Sequence, residues 1–189
     1  MKVSREQAAL NRERVLDTAA RLFRERGFNG VGVADLMKEA GLTHGAFYGQ
    51  FTSKEDLMAQ ACVHAYEDLQ ERWGREAARS PGKPLAGIVS SYLSTAHRDS
   101  PGSGCTTAAL GAEAARQGAP LRRAFTEGTK VQIDALEEWV PGPTAAARRQ
   151  RAVVTLSAMV GAIVLARSLD DEALSKEILR SVKAVVSRE

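Results

Sequence analysis

Apolar residues recur at three- and four-residue spacing through most of the chain, and no stretch alternates apolar and polar as a half-buried strand would. Leu16, Ala19, Ala20, Leu22 and Phe23 mark one face of a helix predicted over residues 5–26. Ser4 and Gln7 are spaced as its capping box, and Gly27 lies just past its end. The turn-rich run Gly27-Phe28-Asn29-Gly30-Val31-Gly32 precedes a second periodic stretch, Val33, Leu36, Met37 and Ala40, which stops at Gly41 in a left-handed C′ position. Thr43 is spaced to cap a third short helix over 44–50, and Ser53 with Asp56 caps a fourth that extends to about Arg79. Helices of two turns do not stand alone in water, so these must pack on each other and on the first.

Beyond Ser80-Pro81-Gly82-Lys83-Pro84 the punctuation is regular. Ser100-Pro101-Gly102-Ser103-Gly104, Gly118-Ala119-Pro120 and Pro141-Gly142-Pro143 separate helical segments predicted near 84–98, 105–117, 120–140, 143–168 and 171–188. The apolar run from Val153 to Leu169 is too long, and too free of turn residues, to be a strand pair. The expected fold is all-α with about nine helices. It divides into a three-helix N-terminal domain over residues 1–54 and a helical bundle over 55–189.

Composition narrows the function. Hydrophobic residues make up 44% of the 189 and charged residues 26%, enough to bury a core and stay in solution. The N-terminus has no apolar stretch after its basic residues, and no run of 18 uncharged apolar residues occurs. A cytoplasmic location without a membrane partner is expected. Cys62 and Cys105 are too few for a disulfide framework or a four-ligand zinc site, and no metal or cofactor is expected. The net charge of +3 is localised: residues 1–54 hold nine Lys/Arg against six Asp/Glu, and the remainder is balanced. A localised positive excess marks where phosphate would be met, although three charges over 54 residues also fit chance. The chain lacks the G-x-S-x-G elbow, the phosphate loop, the dinucleotide fingerprint and the H-E-x-x-H helix, so an enzyme is not expected.

Residues 33–51 have the helix, glycine turn and helix order of a helix-turn-helix. With Phe47 and Phe51 turned inward at i and i+4, the same helix presents His44, Gly45, Ala46, Tyr48 and Gly49 outward, small enough in part for close approach to base edges. The run Ala40-Gly41-Leu42-Thr43-His44-Gly45-Ala46-Phe47-Tyr48, followed by Phe51, Ser53, Lys54, Glu55 and Leu57, resembles the signature of the TetR family of transcriptional regulators. A first helix ending in Arg26-Gly27-Phe28 matches as well, so the resemblance covers about residues 10–60. It implies a repressor of double-stranded DNA with a pseudo-palindromic operator, and it implies roles at matching positions. Thr43 falls at the capping hydroxyl, Tyr48 and Lys54 at phosphate contacts, and His44, Gly45 and Ala46 where bases are read. Three positions depart from the pattern. Gly32 replaces a capping hydroxyl; Gln50, a candidate DNA contact by the same resemblance, stands where histidine is common and keeps a hydrogen-bond donor; and Met37 replaces a small residue between the two short helices.

The C-terminal part carries one local likeness. Ser103-Gly104-Cys105 through Glu113, with Phe125-Thr126-Glu127-Gly128 downstream, is similar to a TetR branch in which a serine-glycine-cysteine turn opens the sixth helix. The family's middle helices enclose a pocket for a small-molecule effector, so the resemblance makes Tyr66, Tyr92, His97, Cys105, Phe125, Trp139 and Met159 candidates for its wall. Each also fits plain packing. Cys105, at a helix start, reads as a buried small residue, as part of a pocket for a reversible ligand, or as a thiol sensitised by the helix dipole, with His97 and Arg98 adding charge if the turn folds back. The apolar stripes Val153, Leu156, Val160, Ile163, Val164 and Leu174, Ile178, Val182, Val185 fit the family's habit of forming a homodimer through its last two helices.

Overall fold

The computed structural model describes residues 4–188, and among these there is no strand. α1 (Arg5–Arg26) starts at Ser4, whose Oγ accepts the Gln7 N–H at 3.1 Å. The Gln7 side chain turns to Asn11 at 3.0 Å, so the capping box is half closed. α2 (Val33–Glu39) begins without a side-chain cap at Gly32. It ends in a Schellman turn: Gly41, at φ +71°, donates to the Lys38 carbonyl at 3.0 Å and Leu42 donates to that of Met37 at 2.8 Å.

The third predicted helix is corrected. An α-helix over 44–50 does not form; a single 3-10 turn, His44–Phe47, takes its place. Thr43 has the extended backbone of an N-cap, but its hydroxyl caps nothing. Gly45 and Gly49 each cost a helix about 1 kcal/mol relative to alanine, which leaves too short a run to extend the turn. α3 (Lys54–Arg79) then runs 26 residues from Ser53, whose Oγ accepts the Asp56 N–H at 3.1 Å. The Asp56 carboxylate in turn accepts the Thr52 N–H at 2.9 Å and a Gln60 amide proton at 2.7 Å, which holds its carboxyl below the usual range.

The segment predicted over 84–98 is also corrected, because it breaks at Leu93. α4 (Pro84–Tyr92) is followed by the short α5 (Thr95–Asp99), capped by Ser94 Oγ on the His97 N–H at 3.1 Å. A 3-10 turn, Pro101–Ser103, leads into α6 (Thr106–Ala114). The chain closes with α7 (Ala119–Glu137), α8 (Ala145–Ser168) and α9 (Glu172–Val186).

Two clusters of buried residues divide the interior. The first gathers Val15, Ala19, Phe23, Phe28, Leu36, Met37, Phe47 and Phe51 against Leu57, Ala61 and Tyr66 of α3, and includes Leu110 of α6 and Leu121 and Ala124 of α7. The second joins Leu69 and Trp73 of α3 to Ile88, Val89, Tyr92, Leu136, Met159, Ile163 and Leu179. α3 therefore contributes its first half to one core and its second half to the other. Across it, α7 packs so closely that a Cβ on Gly128 would lie 2.2 Å from the Tyr66 ring.

The C-terminal stripes need revision. Leu156 and Ile163 are buried in the second core, and Val160, Ile178 and Val182 pack against it. The exposed face of α8 is instead Val153, Val154, Ser157, Val164 and Leu165, with Leu174 and Val185 exposed on α9. α8 is long and apolar enough to cross a membrane by length and composition, but its inner face is core, which leaves this outer stripe to account for the rest.

Candidate nucleic-acid interface and effector cavity

Phe47 and Phe51 stack at 5.6 Å between ring centroids and are buried, which turns the opposite face of the 3-10 segment to solvent. Thr43, His44, Gly45 and Gly49 are exposed there, and Tyr48 is 70% exposed, with its ring edge-on to His44 and Phe47. Nothing lies within 4 Å of a Cβ built on Gly45, so the space in front of it is open. Lys54 is half-buried at the first position of α3 beside this face. Two predicted contacts face inward instead. Ala46 packs against the first core, and the Gln50 side chain folds back to donate to the Ala46 carbonyl at 3.3 Å, with its Oε1 buried and unpartnered. Arg12, missed from the sequence, braces the turn from behind: it donates to the Gln50 carbonyl at 2.6 Å and lies over the Phe51 ring at 4.6 Å.

A cavity of about 460 Å³ opens between α3, α4, α5 and the loop leading to α6. Of the seven predicted wall residues, Tyr92, His97 and Cys105 line it. The other four lie elsewhere. Met159 is fully buried in the second core, Trp139 packs against that core, and Phe125 stands edge-on to Tyr66, whose hydroxyl bonds Thr107 at 2.9 Å. The sequence reading missed Arg72, Trp73, Arg75, Glu76 and Arg79, which α3 places on the wall at helical spacing.

The expectation for His97 is half right. The loop does fold back, but the contact is through backbone: Cys105 N–H donates to His97 Nε2 at 2.9 Å, and His97 Nδ1 donates to the Tyr92 carbonyl at 2.7 Å. Both ring nitrogens are thus used by the neutral tautomer, and burial pushes the imidazole pKa down to about 4. Nor does Arg98 reach the sulfur, since Asp99 and Glu172, each at 2.7 Å, hold its guanidinium. Positive charge around the loop comes from Arg24 on the Gly102 carbonyl, Arg72 on that of Ser103, and Arg167 on those of His97 and Arg98. The Cys105 sulfur is fully buried and accepts from Gln132 Nε2 at 3.8 Å. Gln132 Oε1 accepts in turn from Thr107.

Elsewhere, His64 Nε2 lies 2.6 Å from an Asp17 oxygen and 3.9 Å from one of Asp68. This group of metal-ligating side chains ties α1 to α3.

Residues 15–61, which hold the turn and its two flanking helices, match the model of the bacterial regulatory proteins of the tetR family. This stretch of the chain is similar to the DNA-binding part of tetR-family regulators. It is similar to the HTH-type transcriptional regulator AcrR of Shigella flexneri, 31% identical over 83 residues, 44% of this chain and 39% of that protein. It is also similar to the HTH-type transcriptional repressor NemR of Escherichia coli, 29% identical over 130 residues, 67% of this chain and 65% of that one. These stretches span less than two thirds of either relative. In three dimensions the crystal structure of reduced E. coli NemR superposes with a TM-score of 0.76 at 27% identity, covering 93% of this chain and 94% of that one. A TetR regulator of Chloroflexus aurantiacus, at 22% identity and a TM-score of 0.78 over 97% of this chain and 98% of that one, shares the fold.

The three departures from the family pattern have structural counterparts. Gly32 leaves the start of α2 without a side-chain hydrogen bond. Met37 is wholly buried and fills the space between α2 and its neighbours, and Gln50 has become a packing residue.

Proposed function

We propose that the chain is a cytoplasmic transcriptional repressor that binds a pseudo-palindromic DNA operator as a homodimer and is released by a small molecule entering the cavity. Residues 1–54 carry the DNA contact and residues 55–189 the effector and dimer contacts. The observation that carries the reading is the exposed surface His44, Gly45 and Tyr48, projected by the buried Phe47–Phe51 stack on the positively charged part of the chain. Tyr48 and Lys54 meet phosphate and set the register, while His44 and the open space at Gly45 meet base edges. Nothing in this arrangement calls for catalysis.

The route from cavity to DNA follows two tethers. The loop that floors the cavity holds α1 through Arg24, which donates to the Gly102 carbonyl at 2.9 and 2.5 Å and lies 3.5 Å from Thr106. From α6, Glu113 accepts the Phe28 N–H at 2.9 Å, just where α1 turns toward α2. A ligand that shifts this loop therefore shifts α1, and in a dimer it changes the separation of the two reading surfaces.

A second reading concerns the effector. Cys105 opens α6 at the cavity floor, and the similar NemR structure is specified as a reduced form, which supports a thiol-reactive compound acting at Cys105. Release of DNA by a mild electrophile in the wild type but not in Cys105→Ser supports it; equal release in both removes it.

DNA binding is tested by titrating duplex at increasing salt. Lys54→Ala should weaken binding to every sequence and lower the salt slope by about one contact, whereas His44→Ala should change base preference by about 1–3 kcal/mol if the contact is bidentate. A salt-independent interaction, or one unaffected by both variants, contradicts the assignment.

A further inference from the structure

We propose that the cavity takes a small aromatic carboxylate, held at its acidic end by Arg72 and along its ring by Trp73 and Tyr92. The proposal rests on the reading of this cavity as the effector site and adds the chemical class of the ligand.

The charge of the wall comes first. Arg72, Arg75 and Arg79 line it from one flank of α3, and Glu76 is the single acidic residue among the lining. Arg75 and Arg79 are exposed and pair at 3.5 and 3.3 Å with Glu71 and the half-buried Glu76, and surface pairs of that kind contribute little. Arg72 differs. It is half-buried, one of its nitrogens donates to the Ser103 carbonyl, and its Nε is buried with no partner. No carboxylate lies within 4.0 Å of its guanidinium among the described residues. A guanidinium half withdrawn from water with a spare donor is an incomplete anion site.

The second observation is independent of the first. Tyr92 is 4% exposed, lines the same cavity, and its hydroxyl, which has the Cys105 thiol for a neighbour, has no partner at hydrogen-bonding distance. A buried hydroxyl without a partner has lost its water without compensation, and a ligand oxygen restores the missing bond. His97 does not compete for that role, because both of its nitrogens are engaged by backbone. The unused groups at the cavity are thus a hydroxyl and a guanidinium, which select an anionic acceptor over an amine.

The apolar part of the wall sets the rest of the ligand. Leu69, Trp73 and Tyr92 line it, with the two aromatic rings edge-on at 6.2 Å and Tyr92 edge-on to His97 at 4.5 Å. A flat ring packs against such a wall without displacing a hydrogen-bonded group. When the carboxylate engages Arg72 it competes with the Ser103 carbonyl for the same guanidinium. Ser103 adjoins Gly102, the residue that Arg24 of α1 holds, so ligand chemistry and release meet in one loop.

The test uses the full chain, with 1-naphthoate and its neutral isostere 1-naphthamide as the probes. Binding is measured by calorimetry and by the fluorescence of Trp73 and Trp139. Naphthoate should bind one per chain and at least tenfold more tightly than naphthamide. Arg72→Gln should abolish that preference while leaving naphthamide affinity within about twofold, and Tyr92→Phe should weaken naphthoate alone. Arg72→Lys, which keeps the charge, should retain part of the preference and guards against a folding defect in Arg72→Gln. Equal affinity for the two probes, absence of naphthoate binding, or a preference that survives Arg72→Gln overturns the proposal. Duplex binding measured on the same samples keeps the two readings apart. Naphthoate bound through Arg72 without loss of DNA leaves the ligand class standing and defeats the effector role, and a chain that binds no duplex defeats the repressor reading whatever calorimetry shows.

Discussion

At the scale of single residues, burial decides which polar groups are free to act. His97 is the clearest case, since a residue of ordinary acidity on sequence grounds becomes a neutral strut with its pKa pushed down to about 4. The folded state therefore resists a proton that the unfolded chain accepts near pH 6.5. The resulting stability is fully present above about pH 6.5 and is lost as pH falls toward 4, by up to about 3 kcal/mol at the full shift and less where solvent reaches the ring. Urea unfolding at pH 7 and pH 4.5 should show a drop that is smaller in His97→Gln, which keeps an acceptor and cannot be protonated. An equal drop in both would assign the acid sensitivity to other groups. Gln50 and Cys105 make the same point in other forms: the first, a candidate DNA contact by resemblance, folds back onto Ala46, and the second sits at a helix start but is fully buried.

At the scale of elements, most of the helices were legible because their ends carry chemistry. Ser4 and Ser53 cap as spaced, Thr144 proves to cap α8, and Gly27 and Gly41 take the positive φ that ends α1 and α2. What was not legible was a helix too weak to finish, at 44–50, and a break without proline or glycine, at Leu93. There Ser94 competes for the backbone by capping α5. The α3–α7 crossing was likewise hidden, because sequence spacing does not say which helix faces Tyr66. Gly128 is the consequence. Its Cβ would fall 2.2 Å from the Tyr66 ring, so Gly128→Ala should destabilise the fold by about 1–3 kcal/mol despite the better helix propensity of alanine. Thermal unfolding checks this, and a stabilised variant would mean that the ring moves aside freely. The cavity wall on α3 was missed for a related reason. Arginines at 72, 75 and 79 read as a solvated flank until α4 and α5 are set beside them.

At the scale of the molecule, one long helix belongs to both cores and an exposed apolar stripe is left over. The stripe is legible in the sequence only in part, because Leu156 and Ile163, which share its spacing, serve the chain's own interior. Val154, Leu165 and Val185, at 59%, 55% and 62% exposure, remain uncovered, and a Cβ built on Gly161 of the same helix α8 would meet nothing within 4 Å. In the proposed homodimer a second copy packs across α8 and α9 and covers this face, with Ser157 and Gly161 allowing close approach. Leu165→Asp should convert a dimer to a folded monomer in sedimentation, since a charge buried without a partner costs several kcal/mol. An undisturbed dimer would move the interface elsewhere. The proposed dimer also sets what the DNA should look like, because a twofold protein reads a twofold site. Selection of bound sequences from a random duplex library by the purified chain is therefore the most direct test of the whole account. It should enrich one pseudo-palindrome whose half-sites depend on His44 and whose recovery falls with salt; enrichment of no sequence, or of one without twofold symmetry, would contradict it.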